Sequence, residues 1–156
     1  MSIISETIEV DVPLRVAYNQ WTQFEEFPRF MDGVEEVRQV TPESLEWRAQ
    51  IAGATRTWAT RIAEQVPDRR IAWVAVEGER IDGTVEFAPI GEGRTQVSLT
   101  MRFEPDDTLE KAGDALHVVE GRVRGDLERF KRFIESRGDA TGAWRGEIGP
   151  DAEMTG

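Results

Sequence analysis

The last stretch of patterned sequence predicts a long helix that the rest of the chain must cover. Between Thr108 and Arg137 apolar residues recur at steps of three or four, which places them along one stripe of a helix. The stripe consists of Leu109, Ala112, Leu116, Val119, Val123, Leu127, Phe130 and Ile134. Asp107 and Glu110 form a capping pair at the predicted start, and Gly138 follows the predicted end.

Seven segments before this helix alternate between apolar and polar residues, which predicts β-strands. They span residues 4–12, 34–40, 45–51, 58–66, 71–76, 81–87 and 95–103. Short connections between successive strands require antiparallel hairpins. Between the first two strands, Pro13 and Pro28 punctuate two short helical segments that are rich in aromatic residues.

This order of elements predicts an α+β fold. A seven-stranded antiparallel sheet curls around the long C-terminal helix, and two short helices lie between strands 1 and 2. We expect residues 1–138 to form the domain. We expect residues 139–156 to form a tail that docks partly through Trp144.

Charge and composition exclude several classes of function. The 156 residues contain 30 Asp and Glu against 19 Lys and Arg, a formal charge of −11. Nucleic acids and anionic membranes both favour a basic surface, so neither is a predicted partner. No signal peptide or membrane-spanning run is visible, and a cytoplasmic protein is expected.

The inventory of reactive side chains is short. The chain has no cysteine and one histidine, His117, which excludes a two-histidine zinc site. The glycines form no phosphate-binding loop, since Gly91 and Gly93 belong to a predicted hairpin tip. We therefore predict neither a metal nor a cofactor.

Several short motifs resemble a known family. They are Val12-Pro13, Ala17-Tyr18-Asn19, Trp21-Thr22-x-Phe24-x-x-Phe27-Pro28-x-Phe30, the strands of Trp47 and Trp73, Gly83-x-Val85-x-Phe87 and Lys131-x-Phe133-Ile134-Glu135. With the order of elements, they resemble the START-like superfamily, whose fold is called helix-grip. Within it, the chain is similar to the branch of polyketide cyclases/dehydrases and coenzyme Q-binding proteins. The segment 141–146 resembles the tail of small single-domain bacterial members.

The resemblance implies an elongated cavity between the sheet and the long helix that takes an apolar ligand. Family members bind lipids, quinones or aromatic polyketides, and some catalyse ring closure or dehydration. Inward-facing strand positions predict the wall of such a cavity. The predicted ligand contacts on the strands are Trp47, Trp58, Thr60, Trp73, Val85, Phe87, Leu99 and Met101. For each residue alone, ordinary core packing is the favoured interpretation, but for the set together it is weaker, because a concave sheet over one helix leaves space.

Polar candidates flank the apolar stripe of the helix. Gly113, His117 and Glu120 line one edge of it, and Arg56 shares the inward parity of Trp58. His117 or Glu120 could shuttle a proton, and Arg56 could hold a ketone or enolate oxygen. The alternative interpretation makes Glu120 part of a surface ion pair with Arg124, and Arg56 a solvated residue near a hairpin end.

Three functions follow from these observations. The first is a carrier for a hydrophobic or aromatic small molecule such as a lipid, a quinone or a polyketide-like compound. The second is an aromatase/cyclase that uses His117, Glu120 and Arg56. The third is a protein-binding module that exposes the aromatic segment from Trp21 to Met31. Both a monomer and a homodimer are compatible with the sequence.

Overall fold

The elements follow one another in the predicted order. The computed structural model of the chain describes residues 2–51, 53–104 and 115–149. The elements are β1 (Ser2–Val10), α1 (Leu14–Trp21), a 3-10 helix (Phe24–Arg29), β2 (Val34–Thr41), β3 (Ser44–Ile51), β4 (Ala54–Val66), β5 (Arg70–Gly78), β6 (Arg80–Pro89), β7 (Thr95–Glu104) and α2 (Ala115–Arg137). The predicted helix start at Thr108 lies outside the described residues.

All seven strands belong to one antiparallel sheet in the order β1-β7-β6-β5-β4-β3-β2. The α+β architecture predicted from the sequence is therefore confirmed. The helix α2 packs its stripe on the concave face, where Val123, Leu127, Phe130 and Ile134 are at most 4% exposed. Within the described residues, no helix is both long and apolar enough to cross a membrane.

The sheet is irregular around β5. The pairing of β4 with β5 shifts register twice, and β5 pairs with β6 only from Arg70 to Trp73. Beyond that point the Asp82 carboxylate accepts a hydrogen bond from the backbone N–H of Ala75, at 2.7 Å. Bulges of this kind increase the local twist and bend a strand. The irregularity accordingly contributes to the curl that makes one face of the sheet concave.

One end of the space under the sheet is packed with aromatic rings. We call Trp21, Phe24, Phe27, Phe30 and Phe130 the aromatic cluster, and each is at most 1% exposed. Ring centroids lie 5.2–5.7 Å apart, and the planes cross at 58–73°. Such edge-to-face contacts interlock the rings. The aromatic segment is thus internal, and an exposed apolar patch for a protein partner does not fit the structure.

The described part of the tail lies across α1 and β4. Thr141 and Gln20 exchange two hydrogen bonds, and Ile148 forms a backbone bridge with Gln65. Arg145 forms an ion pair with Asp68 at 2.7 Å. Trp144 contributes its backbone N–H to a bond with Thr22 Oγ1, while its side chain is 39% exposed. Polar contacts, more than the indole, hold this segment.

Candidate functional site

A cavity lies between the concave face of the sheet and α2. Its volume is about 90 Å³, and six strands, β2 to β7, contribute to its wall. The wall is apolar over most of its extent, with Ile51, Leu99, Phe103 and Val123 among its residues. Its polar residues are Asp32, Arg122 and Asp126. The cavity therefore has an apolar body and one polar region, where α2 meets the loop before β2.

Three tryptophans on neighbouring strands form a stacked part of this wall. We call Trp47, Trp58 and Trp73 the tryptophan wall. The rings of Trp47 and Trp58 are 5.6 Å apart and nearly parallel, at 7°, and Trp73 lies 5.8 Å from Trp47 at 30°. Trp47 Nε1 donates to Thr60 Oγ1 at 2.9 Å, which fixes the orientation of the central ring. The three indoles thus stack on one another, unlike the crossed rings of the aromatic cluster.

Trp73 takes its place in the wall because the residue opposite it is glycine. Trp73 pairs with Gly83 on β6. A Cβ atom added to Gly83 would lie 2.3 Å from Cζ2 of the Trp73 ring, a distance that no side chain can occupy. The indole therefore occupies the space that a side chain at position 83 would need.

Trp58 carries a hydrogen-bond donor that the described residues leave unused. The residue is 8% exposed, and its Nε1 is buried with no acceptor in the described structure. Buried indole N–H groups usually find a partner. A ligand with an acceptor oxygen is one group that could supply it.

Asp126 is the buried carboxylate of the polar region. Its Oδ1 accepts hydrogen bonds from Arg129 Nη2 at 2.6 Å and from the backbone N–H of Asp32 at 3.0 Å. Burial raises the pKa of Asp126 from its ordinary 3.8 to about 6, although these two bonds and the charges of Arg129 and Arg122 favour the ionised form. A carboxyl group with such a pKa can both accept and donate a proton near neutral pH.

Arg122 reaches the same region from the preceding turn of α2. A Cβ atom on Gly33 would come within 2.4 Å of Arg122 Nη1, so the guanidinium lies directly against the backbone of Gly33. Gly33 also has a φ of +86°, a conformation that favours glycine. The glycine in the loop before β2 thus leaves the space that the Arg122 guanidinium occupies.

The sequence-based site residues divide into two groups. The structure brings Trp47, Trp58, Trp73, Leu99 and Met101 together in the cavity wall. The others on the strands lie in the surrounding core: Thr60 bonds Trp47, Val85 is fully buried, and Phe87 packs its ring edge-on against Tyr18 at 5.4 Å.

The predicted polar candidates lie apart from Asp126. Glu120 is on the surface, 3.6 Å from Arg124, which also pairs with Glu6. Arg56 forms a half-buried ion pair with Glu79 at 3.1 Å. Gly113 lies outside the described residues, and His117 is described only as part of the α2 backbone.

The sequence analysis did not single out Arg122 or Asp126. The sequence contains a signal for Asp126, because this residue lies three positions after Val123 and four before Phe130, on the apolar stripe. An acidic residue at a position that faces the core must be paired or hold its proton. Arg122 carries no such signal, since it flanks the stripe where arginines are usually solvated.

Comparison with known proteins identifies the family. The family model described as polyketide cyclase/dehydrase and lipid transport matches residues 10–132. An uncharacterised 17.2 kDa protein from the melC2-rnhH intergenic region of Streptomyces lincolnensis is 48% identical over 149 residues, which cover 95% of this chain and 99% of that protein.

Solved structures show the same fold at low identity. The Zhui aromatase/cyclase from Streptomyces sp. R1128 superposes with a TM-score of 0.74 at 22% identity, covering 92% of this chain and 99% of the other. A START superfamily protein from Mycobacterium smegmatis superposes with a TM-score of 0.65 at 16% identity, covering 86% and 95%. Because the family model matches residues 10–132, most of its length, this chain belongs to the polyketide cyclase/dehydrase and lipid transport family.

Proposed function

We propose that the protein binds a small aromatic, polyketide-related molecule in the cavity and acts as its carrier. The observation that supports this most directly is the tryptophan wall, a set of nearly parallel indoles beside unfilled space. Aromatic rings gain from offset stacking on such faces beyond the burial of their area. Membership of a family that contains cyclases and lipid transporters supports the same class of ligand.

The size of the cavity limits the ligand. A buried water needs roughly 10–15 Å³ of comparable volume, so about 90 Å³ accommodates roughly six to nine atoms of that size. This corresponds to one substituted ring. Pockets for larger organic ligands are typically about 300–1,000 Å³, so the walls must move apart before a multi-ring compound binds.

Tryptophan fluorescence provides the test. Titration with phenol and simple methylphenols should quench or shift the emission saturably, and native mass spectrometry of freshly purified protein should reveal any ligand retained from the cell. No spectral change with any of these compounds, and no retained species, would contradict the proposal.

A pair of alanine variants makes the test specific to the cavity. Ala49 is 2% exposed and lines the cavity, whereas Ala59 lies between the inward-facing Trp58 and Thr60 and so faces the other side of the sheet. Ala49→Leu should occupy the space and abolish binding. Ala59→Leu adds the same atoms elsewhere and should leave binding unchanged. Equal binding by both variants would place the ligand outside the cavity.

Catalysis of ring closure is a second candidate function, and the buried carboxyl group of Asp126 supports it. As a carboxylate it would accept a proton from a methylene between two carbonyls of a β-keto chain. The resulting carbanion attacks a ketone carbon of the same chain, and the new alkoxide takes the proton back. Loss of one water then gives the double bond, with no external oxidant or reductant. Arg122 would stabilise the enolate oxygen.

The catalytic candidate has its own test. The substrate is a short poly-β-keto thioester, and mass spectrometry follows the product that has lost one water. Asp126→Asn should lower the rate at least ~100-fold, the usual contribution of a general acid–base group. Glu128→Gln, at an exposed position of the same helix, is the control. If His117→Ala and Glu120→Gln abolish turnover while Asp126→Asn does not, the sequence-based assignment replaces this one.

A further inference from the structure

We propose that Arg122 binds an acidic oxygen of the ligand, a carboxylate, phenolate or enolate, and so selects oxygenated aromatic molecules over purely apolar ones. This inference rests on the proposed binding function and specifies the class of ligand. It assigns to a helix residue the role that the sequence suggested for Arg56.

The position of the Arg122 guanidinium favours this role. Arg122 precedes Val123 on α2 and lines the cavity together with it. Its Nη1 is held against Gly33, where any larger residue would collide with it. The guanidinium therefore lies beside the start of β2, where Asp32 and Val34 border the cavity.

The lack of protein partners for the N–H donors of Arg122 in the described part of the chain also favours this role. Within the described residues, Arg122 makes no hydrogen bond and no ion pair, although its guanidinium has five N–H donors. The neighbouring arginines differ. Arg129 bonds both Asp126 and the Phe30 carbonyl, and Arg124 bonds Glu6.

The nearby carboxylate does not satisfy these donors. Both hydrogen bonds to Asp126 go to its Oδ1, one from Arg129 and one from the Asp32 backbone. Asp126 acts on Arg122 only through the longer-range attraction of its charge. Because Arg129 lies 2.6 Å from it, much of that charge is already balanced, and an anionic ligand beside Arg122 meets little repulsion from it.

A second donor belongs to a residue of the cavity wall. Trp58 lines the cavity, and its Nε1 is buried without an acceptor among the described residues. An oxygenated aromatic ring can stack on the indoles and accept hydrogen bonds at its substituents. A hydrocarbon ring can only stack.

The charge of the whole chain makes such selectivity measurable. At a formal charge of −11 the protein repels anions in general. Preference for an anion over a neutral molecule of the same shape therefore requires a local cation. Benzoate and toluene are suitable probes, since they share one ring and differ in the carboxylate.

The experiment measures both affinities at pH 7.5 by ligand-observed NMR. Wild-type protein should bind benzoate about tenfold more tightly than toluene, the usual effect of a hydrogen bond to a charged group. Arg122→Met should remove that difference by weakening the binding of benzoate alone. Arg122→Lys should restore part of the difference. Circular dichroism and thermal unfolding establish that each variant is folded.

Arg124→Met is the matched control, because it removes one positive charge from an exposed position of the same helix. It should leave both affinities within about twofold of wild type. The Arg122 assignment is overturned if wild type binds both probes equally, or if Arg122→Met weakens both to the same extent. If neither probe binds to wild type, the binding function itself fails, and this assignment with it.

Discussion

The aromatic cluster and the tryptophan wall are built from the same kinds of side chain, yet one is solid and the other borders a cavity. They are in contact, since the rings of Phe27 and Trp47 lie 5.8 Å apart. In the cluster, α1 and the 3-10 helix insert rings between the sheet and α2, and the rings cross at steep angles. In the wall, adjacent strands hold the indoles nearly parallel.

This difference shows how backbone geometry decides whether aromatic residues fill space or bound it. Rings from separate elements approach from different directions and interlock edge to face. Rings from paired strands leave the same face of the sheet and stack with nearly parallel planes. The cavity remains beside this stack, where no further side chain of the described residues fills the space.

Truncation of one side chain in the aromatic cluster and one beside the cavity gives the largest expected contrast. Phe30→Ala removes a fully packed ring from the aromatic cluster and should lower the free energy of unfolding by about 3–5 kcal/mol. Met101→Ala removes a partly buried side chain that already borders the cavity, and should cost less than about 2 kcal/mol. Urea unfolding measures both. Equal losses would mean that the two regions are packed alike.

The buried carboxyl of the cavity should produce a pH dependence that the aromatic cluster cannot. The raised pKa means that folded protein keeps the Asp126 proton between pH 3.8 and about 6, while unfolded protein releases it. Stability relative to Asp126→Asn should therefore fall as pH rises through this window, and stay low above it. The difference between the two pKa values corresponds to about 3 kcal/mol at most.

Urea unfolding of both proteins at pH 4 and pH 7 measures this effect. The asparagine side chain retains an oxygen acceptor for Arg129 and Asp32, so the hydrogen bonds are preserved and the titration is removed. Parallel pH profiles for the two proteins would show that Asp126 is not the titrating group.

A smaller change tests whether the stacked arrangement of the tryptophan wall matters. Gly83→Ala places a methyl group where the Trp73 ring now lies, and overpacking of this kind costs about 1–3 kcal/mol. We expect displacement of the Trp73 ring to weaken the binding of aromatic ligands and to alter tryptophan fluorescence. Gly121→Ala, where nothing lies within 4 Å, is the control and should stabilise the helix slightly. Unchanged ligand affinity in Gly83→Ala would show that the parallel arrangement is not needed.

The sequence predicted the sheet well because strand alternation reports directly which face is buried. Trp47 and Trp58 share the inward parity, and the structure places both in the cavity wall. Alternation shows which face of the sheet a side chain lies on, but it does not show which element covers that side chain. Phe87 also points inward, but α1 covers it through Tyr18, so it belongs to the core.

The polar residues of the cavity were harder to predict, because their environment comes from distant parts of the chain. Glu120 and Asp126 are both acidic and both close to the apolar stripe. The loop at Asp32 covers Asp126 and donates to it, whereas Glu120 lies exposed beside Arg124. A helical wheel gives the direction of a side chain and contains no information about that loop.

The tail that crosses α1 limits how early the first helix can complete its contacts during synthesis. Gln20 and Asn19, near the start of the chain, bond to Thr141 and Arg145 across more than 120 positions. During translation these helix side chains lack these partners until residues 141–145 have left the ribosome. A ribosome stalled before residue 141 therefore carries a nascent chain without the last native contacts of its first helix.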